Sequence, residues 1–216
     1  MSPAGQDRVN RLRTRLHILV RLALRRRSRF ISGYLTGLRG VEIGASAHNR
    51  YHLDAINIDR RDDRDSEYKR EERRLALHAA KVDMVAPGDD LPLETGSVDF
   101  VFASHVVEHF PDPIRALYEW VRVATRYVVV VVPHRDRTFD VGRELTTPDE
   151  LLKRYRSGFT SGEDRHWSVW TCDSFIELCE RIGLAVLDQL DPDDKVGNGF
   201  IVVIDASAEP PRELMR

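Results

Sequence analysis

The chain has 216 residues and a net charge of −2, from 33 lysines and arginines against 35 aspartates and glutamates. It is long enough for one α/β domain with a sizeable core. Its 42% hydrophobic and 31% charged residues match an ordinary soluble globule, and no stretch approaches the ~20 apolar residues that span a bilayer. Stable membrane insertion is therefore not expected. The two cysteines, Cys172 and Cys179, fall on one predicted helix ~10.5 Å apart along its axis. That is beyond the ~7 Å Cα limit for a disulfide, so they are expected to be reduced packing residues of a cytoplasmic protein.

The charge is uneven. Residues 1–30 hold nine arginines and one acid (Asp7), or +8, whereas the remainder holds 24 basic and 34 acidic groups, or −10. Val9, Leu12, Leu16, Leu19 and Ala23 recur at helical spacing, which predicts a helix packed on the domain or on a second copy, with its arginines in water. Contact with nucleic acid, a membrane surface or an anionic sugar, or a mitochondrial leader, stays open for the same segment. A secretory leader is not expected, because His17 and Arg21 break the apolar part. With no repeat or linker in view, residues 1–36 read as a basic helical segment of the same domain that residues 37–216 form.

Short apolar runs alternate with helical patterns, as in a mostly parallel sheet with helices on both faces. Strands are predicted at Gly40–Ile43, Ala55–Asp59, Lys81–Ala86, Ser97–Ala103 and Arg126–Val132, with a helix inside the charged run 60–81. Asp112 is a helix N-cap with Pro113 as first residue, and Ile114, Leu117, Val121 and Ala124 form the buried stripe. Thr147-Pro148-Asp149-Glu150 has the pattern of a capping box. A further helix carries Phe175, Leu178 and Ile182 and stops at Gly183. Leu184–Leu190 and Phe200–Ile204 lie too close for a parallel crossover and must pair antiparallel. The fold predicted is a Rossmann-like α/β sheet of five parallel strands plus a C-terminal antiparallel hairpin.

The turn after the first strand, "GVEIGASAHN", has one glycine where a dinucleotide loop needs three, and an acid, Glu42, just before it. Ligands of such sheets bind beyond the carboxyl ends of the strands. Asp59, ending the second strand, can accept from both hydroxyls of a ribose, and Glu42 suits a positive charge rather than a phosphate. A ribose, an ammonium and no phosphate describe S-adenosylmethionine.

"VEIGAS", "NID" and "LPLETGSVDFVFASHVVEHFPDP" together resemble the class I S-adenosylmethionine-dependent methyltransferases, over Gly40 to about Ile204. "EIGASAHN", "PHRDRTFD" and "HWSVWT" are similar to methyltransferases of glycan synthesis. The resemblance implies that Glu42, Gly44, Ala45 and Ser46 surround the methionine part and that Asp59 and Arg60 meet the ribose and adenine edge. Pro87 stands where the family often has an acid at the adenine amino group; Gly88 backbone or Asp89 would substitute. Ser104 and His105 fall beside the sulfonium.

The reaction implied is O-methylation of a sugar or oligosaccharide hydroxyl, for instance the 1-hydroxyl of a methylated mannoside in polymethylated polysaccharide synthesis. The alternatives are a nitrogen or RNA-base acceptor, or a non-catalytic cofactor-binding module. A small saccharide is the partner expected, and the acidic bulk of residues 31–216 argues against nucleic acid. A homodimer stays open. Methyl transfer to oxygen needs a proton acceptor, and histidine suits that role near neutral pH. His134 is the leading candidate, directly after the fifth strand, with His109 and His166 behind it. A divalent metal such as magnesium on His134, Asp136, Asp140 and Glu144 is the second route; a solvated loop of paired charges is the plainer reading of the same residues. Tyr68, Phe139 and Trp167 are available to stack on a ring, and Trp170 is expected in the core.

Overall fold

A computed structural model of the chain describes residues 27–62 and 67–208. The helical stripe expected at Val9–Ala23 and the side chain of Tyr68 lie outside the described residues. The strands are β1 (Gly40–Ile43), β2 (Ala55–Asp59), β3 (Met84–Val85), β4 (Val98–Ser104), β5 (Ala124–Pro133), β6 (Val186–Leu190) and β7 (Gly199–Asp205). The helices are α1 (Arg29–Leu35), α2 (Glu67–Ala76), α3 (Pro113–Val123), α4 (Pro148–Ser157) and α5 (Cys172–Arg181). One sheet runs in the order β3-β2-β1-β4-β5-β7-β6. Strands β1 to β5 are mutually parallel, and β7 is antiparallel to both β5 and β6. The Rossmann-like sheet with its terminal hairpin is thus present.

The valine run of β5 explains its own place. Val128, Val130 and Val132 pack into the cluster under α3, α4 and α5, while Val129 and Val131 pack with Ile31 and Leu35 of α1 on the opposite face. A strand buried on both faces has no solvent side, so its sequence does not alternate. Ser28 caps α1 by accepting from the Ile31 amide at 3.0 Å. The helix, at the end of the basic segment 1–36, therefore seals the second face.

Local signals held at the helix starts. Asp112 accepts from the Arg115 amide at 3.2 Å, and Thr147 from the Glu150 amide at 3.2 Å. The Thr147 box stays half made, because the Glu150 carboxylate pairs with Arg154 instead; the complete box is Thr171–Ser174 at α5. Strand β3 is shorter than the six residues expected. The Asp83 amide still donates to the Asn57 carbonyl at 2.9 Å, but the Asn57 amide goes to the Asp83 carboxylate at 3.0 Å, so the backbone ladder is only half made ahead of Met84. Both cysteines are free and buried in α5, and burial pushes the Cys172 thiol up to about 11. Among the described residues no helix is long and apolar enough to cross a membrane.

Candidate active site

The strand order reverses between β1 and β4, which opens a crevice at their carboxyl ends. A cavity of about 1840 Å³ fills it. Single-ligand pockets run to ~1,000 Å³, so there is room for two molecules side by side.

The half beyond β1 and β2 is shaped mainly by backbone. Gly44 turns the chain at φ 65°, and a Cβ there would lie 3.1 Å from Val106 Cγ2. Only glycine takes that conformation without strain. Asn57, buried inside β2, holds the turn: its Oδ1 accepts from the Ala45 amide at 3.0 Å, and its Nδ2 donates to the Lys81 carbonyl at 2.8 Å. Gly88 packs so tightly that a Cβ would meet Ile43 and Phe110 at 2.9 Å, and its carbonyl accepts from the Trp120 indole at 2.7 Å. Glu42, Gly44, Ala45, Ser46, Asp59, Arg60, Pro87 and Gly88 all line this half.

Charges here are partly engaged. Asp59 accepts from the Arg61 amide at 3.3 Å and lies 3.9 Å from Lys69 Nζ. The Ser46 hydroxyl bonds His48 Nδ1 at 2.6 Å. Burial pushes Glu42 up to about 7, against the pull of Lys195 and Arg50. Lys195 is in turn pushed down to about 8 by its own burial. Its ammonium donates to the Arg50 carbonyl and sits 3.7 Å over the Tyr51 ring. Nothing in the sequence pattern pointed to Lys195, which stands in the polar run "DPDDKVGNG", and the only mark on Asn57 was a polar residue inside an otherwise apolar strand.

The second half is made of side chains from distant segments. Ser104 ends β4 with its hydroxyl on the Tyr51 oxygen at 3.3 Å. His105 follows in a left-handed conformation, φ 55°, and burial pushes its imidazole down to about 4. Beyond it, Glu108 is wholly buried, and neither carboxylate oxygen accepts a hydrogen bond. Burial and the nearby Asp140 push it up to about 8. His105 Nδ1 lies 4.0 Å from Glu108 Oε1, and two further imidazoles flank it more closely: His109 Nε2 and His166 Nε2 each lie 3.8 Å from the same oxygen. Their other nitrogens are held, His109 Nδ1 by Asp164 at 2.9 Å and His166 Nδ1 by Asp140 at 2.6 Å. A carboxylate only accepts, so each Nδ1 carries the proton and each Nε2 turns a lone pair toward Glu108. Burial and His166 lower the pKa of His109. The segment carrying His166 is fixed over the cluster by the Trp167 amide, which donates to the Glu108 carbonyl at 2.8 Å.

His134 is not part of this assembly. It does not line the cavity; it caps a 3₁₀ turn, Arg135–Arg137, by accepting the Asp136 amide on Nδ1 at 3.1 Å. The metal group drawn around it is not assembled either. Asp136 pairs with Arg135 at 2.8 Å, Asp140 is drawn inward to Arg143 and His166, and Glu144 is exposed. Residues close in sequence diverge here because the loop passes through successive tight turns, closed by the Arg137 amide on the His134 carbonyl, the Val141 amide on the Thr138 carbonyl and the Arg143 amide on the Asp140 carbonyl. Phe139, 77% exposed, leans on His166 with centroids 4.5 Å apart. Trp167 is half-buried under Arg165, and Trp170 is buried in the core.

The 3-2-1-4-5-7-6 sheet, with one left-handed glycine after β1 and an acid closing β2, is a Rossmann-like methyltransferase fold. Residues 40–132 match the family model described as a methyltransferase domain. A search of curated proteins gives no match. Among solved structures the chain is similar to an S-adenosylmethionine-dependent methyltransferase from Thermotoga maritima, at 18% identity and TM-score 0.53, over 94% of this chain and 96% of that one. It is also similar to one from Methanosarcina mazei, at 15% identity and TM-score 0.51, over 82% of this chain and 96% of that one. At these identities the likeness speaks for the fold.

Proposed function

We propose that the protein transfers the methyl group of S-adenosylmethionine to a hydroxyl of a small sugar or oligosaccharide. The observation that carries this reading is the single cavity that joins the Asp59–Gly44 half to the Glu108–His109–His166 cluster. In this reading Asp59 and Arg60 take the ribose and adenine edge, Glu42 the cationic methionine end, and Gly88 backbone the adenine amino group beside Pro87. Ser104 and His105 stand where the sulfonium meets the acceptor. The acceptor hydroxyl then lies toward Glu108, His109 and His166, and the Nε2 lone pairs of the two imidazoles suit handling of its proton.

A saccharide suits the far end, where polar groups of Asp164 and Arg156 mix with the rings of Phe139 and Phe159 along the cavity. The 1-hydroxyl of a methylated mannoside is one such acceptor. Positioning in line with the methyl–sulfur bond supplies much of the rate in such a transfer. The oxygen attacks the methyl carbon, the carbon–sulfur bond breaks, and S-adenosylhomocysteine leaves with the electron pair.

The test is transfer of tritium from methyl-labelled S-adenosylmethionine to a panel of mono- and oligosaccharides, with a biogenic amine and an RNA as controls. Label in a saccharide ether supports the reading. Label in the amine or the RNA moves the acceptor to nitrogen or nucleic acid. Tight cofactor binding with no transfer to any acceptor leaves a binding module.

A further inference from the structure

Among the described residues, Glu108, His109 and His166 bring one potential ligand atom each within 4.8 Å of one another. We propose that these three side chains bind a divalent transition-metal ion, zinc in the first instance, at the acceptor end of the cavity. The argument starts from the carboxylate. Glu108 is fully buried, and both of its oxygens lack a hydrogen-bond partner. A buried carboxylate without partners is costly to the fold, and a cation between it and the two imidazoles removes that cost. The histidines are prepared for the same task. Each gives its Nδ1 to a carboxylate, Asp140 at 2.6 Å and Asp164 at 2.9 Å, and points Nε2 at Glu108. That outer shell of carboxylate, imidazole and metal fixes the tautomer and raises the basicity of the coordinating nitrogen.

The distances agree. Nε2 to Oε1 separations of 3.8 Å on both sides close on a shared ion at zinc bond lengths of ~2.0–2.2 Å with side-chain shifts below about 1 Å. The donor set selects the metal: two imidazoles and one carboxylate favour zinc and its neighbours, whereas magnesium prefers oxygen ligands in an octahedron. All three residues line the cavity, so a fourth position faces the space given to the acceptor, as in three-ligand catalytic zinc sites. There the ion, holding both Nε2 lone pairs, acidifies the acceptor hydroxyl in place of direct proton transfer to either imidazole, and the proton passes to water before the oxygen takes the methyl group. Only this last role rests on the methyl-transfer reading; binding of the ion does not.

The experiment uses the full-length protein stripped with chelator and then titrated with zinc chloride or magnesium chloride by calorimetry, and with cobalt chloride by visible absorbance. One zinc per chain is expected, with magnesium at least 100-fold weaker and ligand-field bands from cobalt. Glu108→Gln and His166→Gln should each weaken zinc by 100-fold or more and abolish the cobalt bands. Asp164→Ala alters a side chain that is 40% exposed, so the fold should tolerate it, and its expected loss is ~10–100-fold. Zinc affinity equal in wild type, Glu108→Gln and Asp164→Ala would overturn the site. S-adenosylhomocysteine affinity, measured on the same samples, separates the two readings. Zinc without cofactor binding sinks the methyl-transfer reading alone, and cofactor without zinc binding sinks the metal site alone.

Discussion

The two halves of the cavity are built by different means. Beyond β1 and β2 the shape comes from backbone: a left-handed Gly44, a tightly packed Gly88, and an Asn57 side chain that serves as a surrogate backbone partner. Beyond β4 and β5 it comes from side chains on three separated segments, with Glu108 and His109, Asp140, and Asp164 and His166 meeting through ion-pair and hydrogen-bond contacts. A backbone-built half suits a ligand that never changes, and a side-chain-built half suits one that differs from enzyme to enzyme. The first should therefore govern cofactor affinity and the second turnover.

The largest expected break is on the acceptor side. His166→Ala or His109→Ala should lower turnover ~10²–10⁴-fold, the range of a positioned proton-handling group, while S-adenosylhomocysteine affinity by calorimetry stays within threefold of wild type. On the cofactor side, Asp59→Ala should weaken S-adenosylhomocysteine by ~1.5–3 kcal/mol for each charged hydrogen bond lost, with an unchanged melting temperature. Gly44→Ala forces a side chain into φ 65° against Val106. Left-handed backbone costs roughly 1–2 kcal/mol for such a residue, so denaturant melts should show that loss of stability together with weaker cofactor binding.

A smaller effect follows from Glu42, whose pKa is raised by burial to about 7. Its neutral form is favoured in the fold, so its contribution to the stability of the ligand-free protein is full below pH ~4.5, near its ordinary pKa, and is lost as pH rises through about 7. Cofactor binding runs the other way. A cationic methionine end prefers the carboxylate, so S-adenosylmethionine affinity should climb toward pH 8, and Glu42→Gln should flatten that slope. A slope unchanged in Glu42→Gln would remove this residue from the cofactor half. The smallest effect is expected at His134, which caps a turn away from the cavity: His134→Ala should change turnover by less than about tenfold, and a larger loss would return the chemistry to β5.

The same contrast explains what the sequence made legible. The strands other than β3, the Asp112 and Thr147 caps and the glycine turn answer to short-range rules, and each stands within a residue or two of its expected place. Asp59 could be placed because the end of a parallel strand is defined by its own hydrophobic run. The acceptor side depends on contacts between residues up to 58 positions apart, such as His166 with Glu108, and no local pattern encodes those. Asp140 was grouped with His134 because they are six apart in sequence, yet the loop delivers it to His166. Asn57 was visible as the first residue of "NID", but its role as a clamp on the Ala45 amide required the turn itself. The "EH" pair, Glu108-His109 between Val107 and Phe110, carried the one usable hint, since a polar pair among apolar residues is placed to bury a charge.

The most direct test of this division is a calorimetric titration of S-adenosylhomocysteine into wild type, Asp59→Ala and His166→Ala under one set of conditions. The division between the halves predicts that Asp59→Ala loses at least tenfold in affinity while His166→Ala keeps it. Equal affinities in wild type and Asp59→Ala, with the loss falling on His166→Ala, would contradict it.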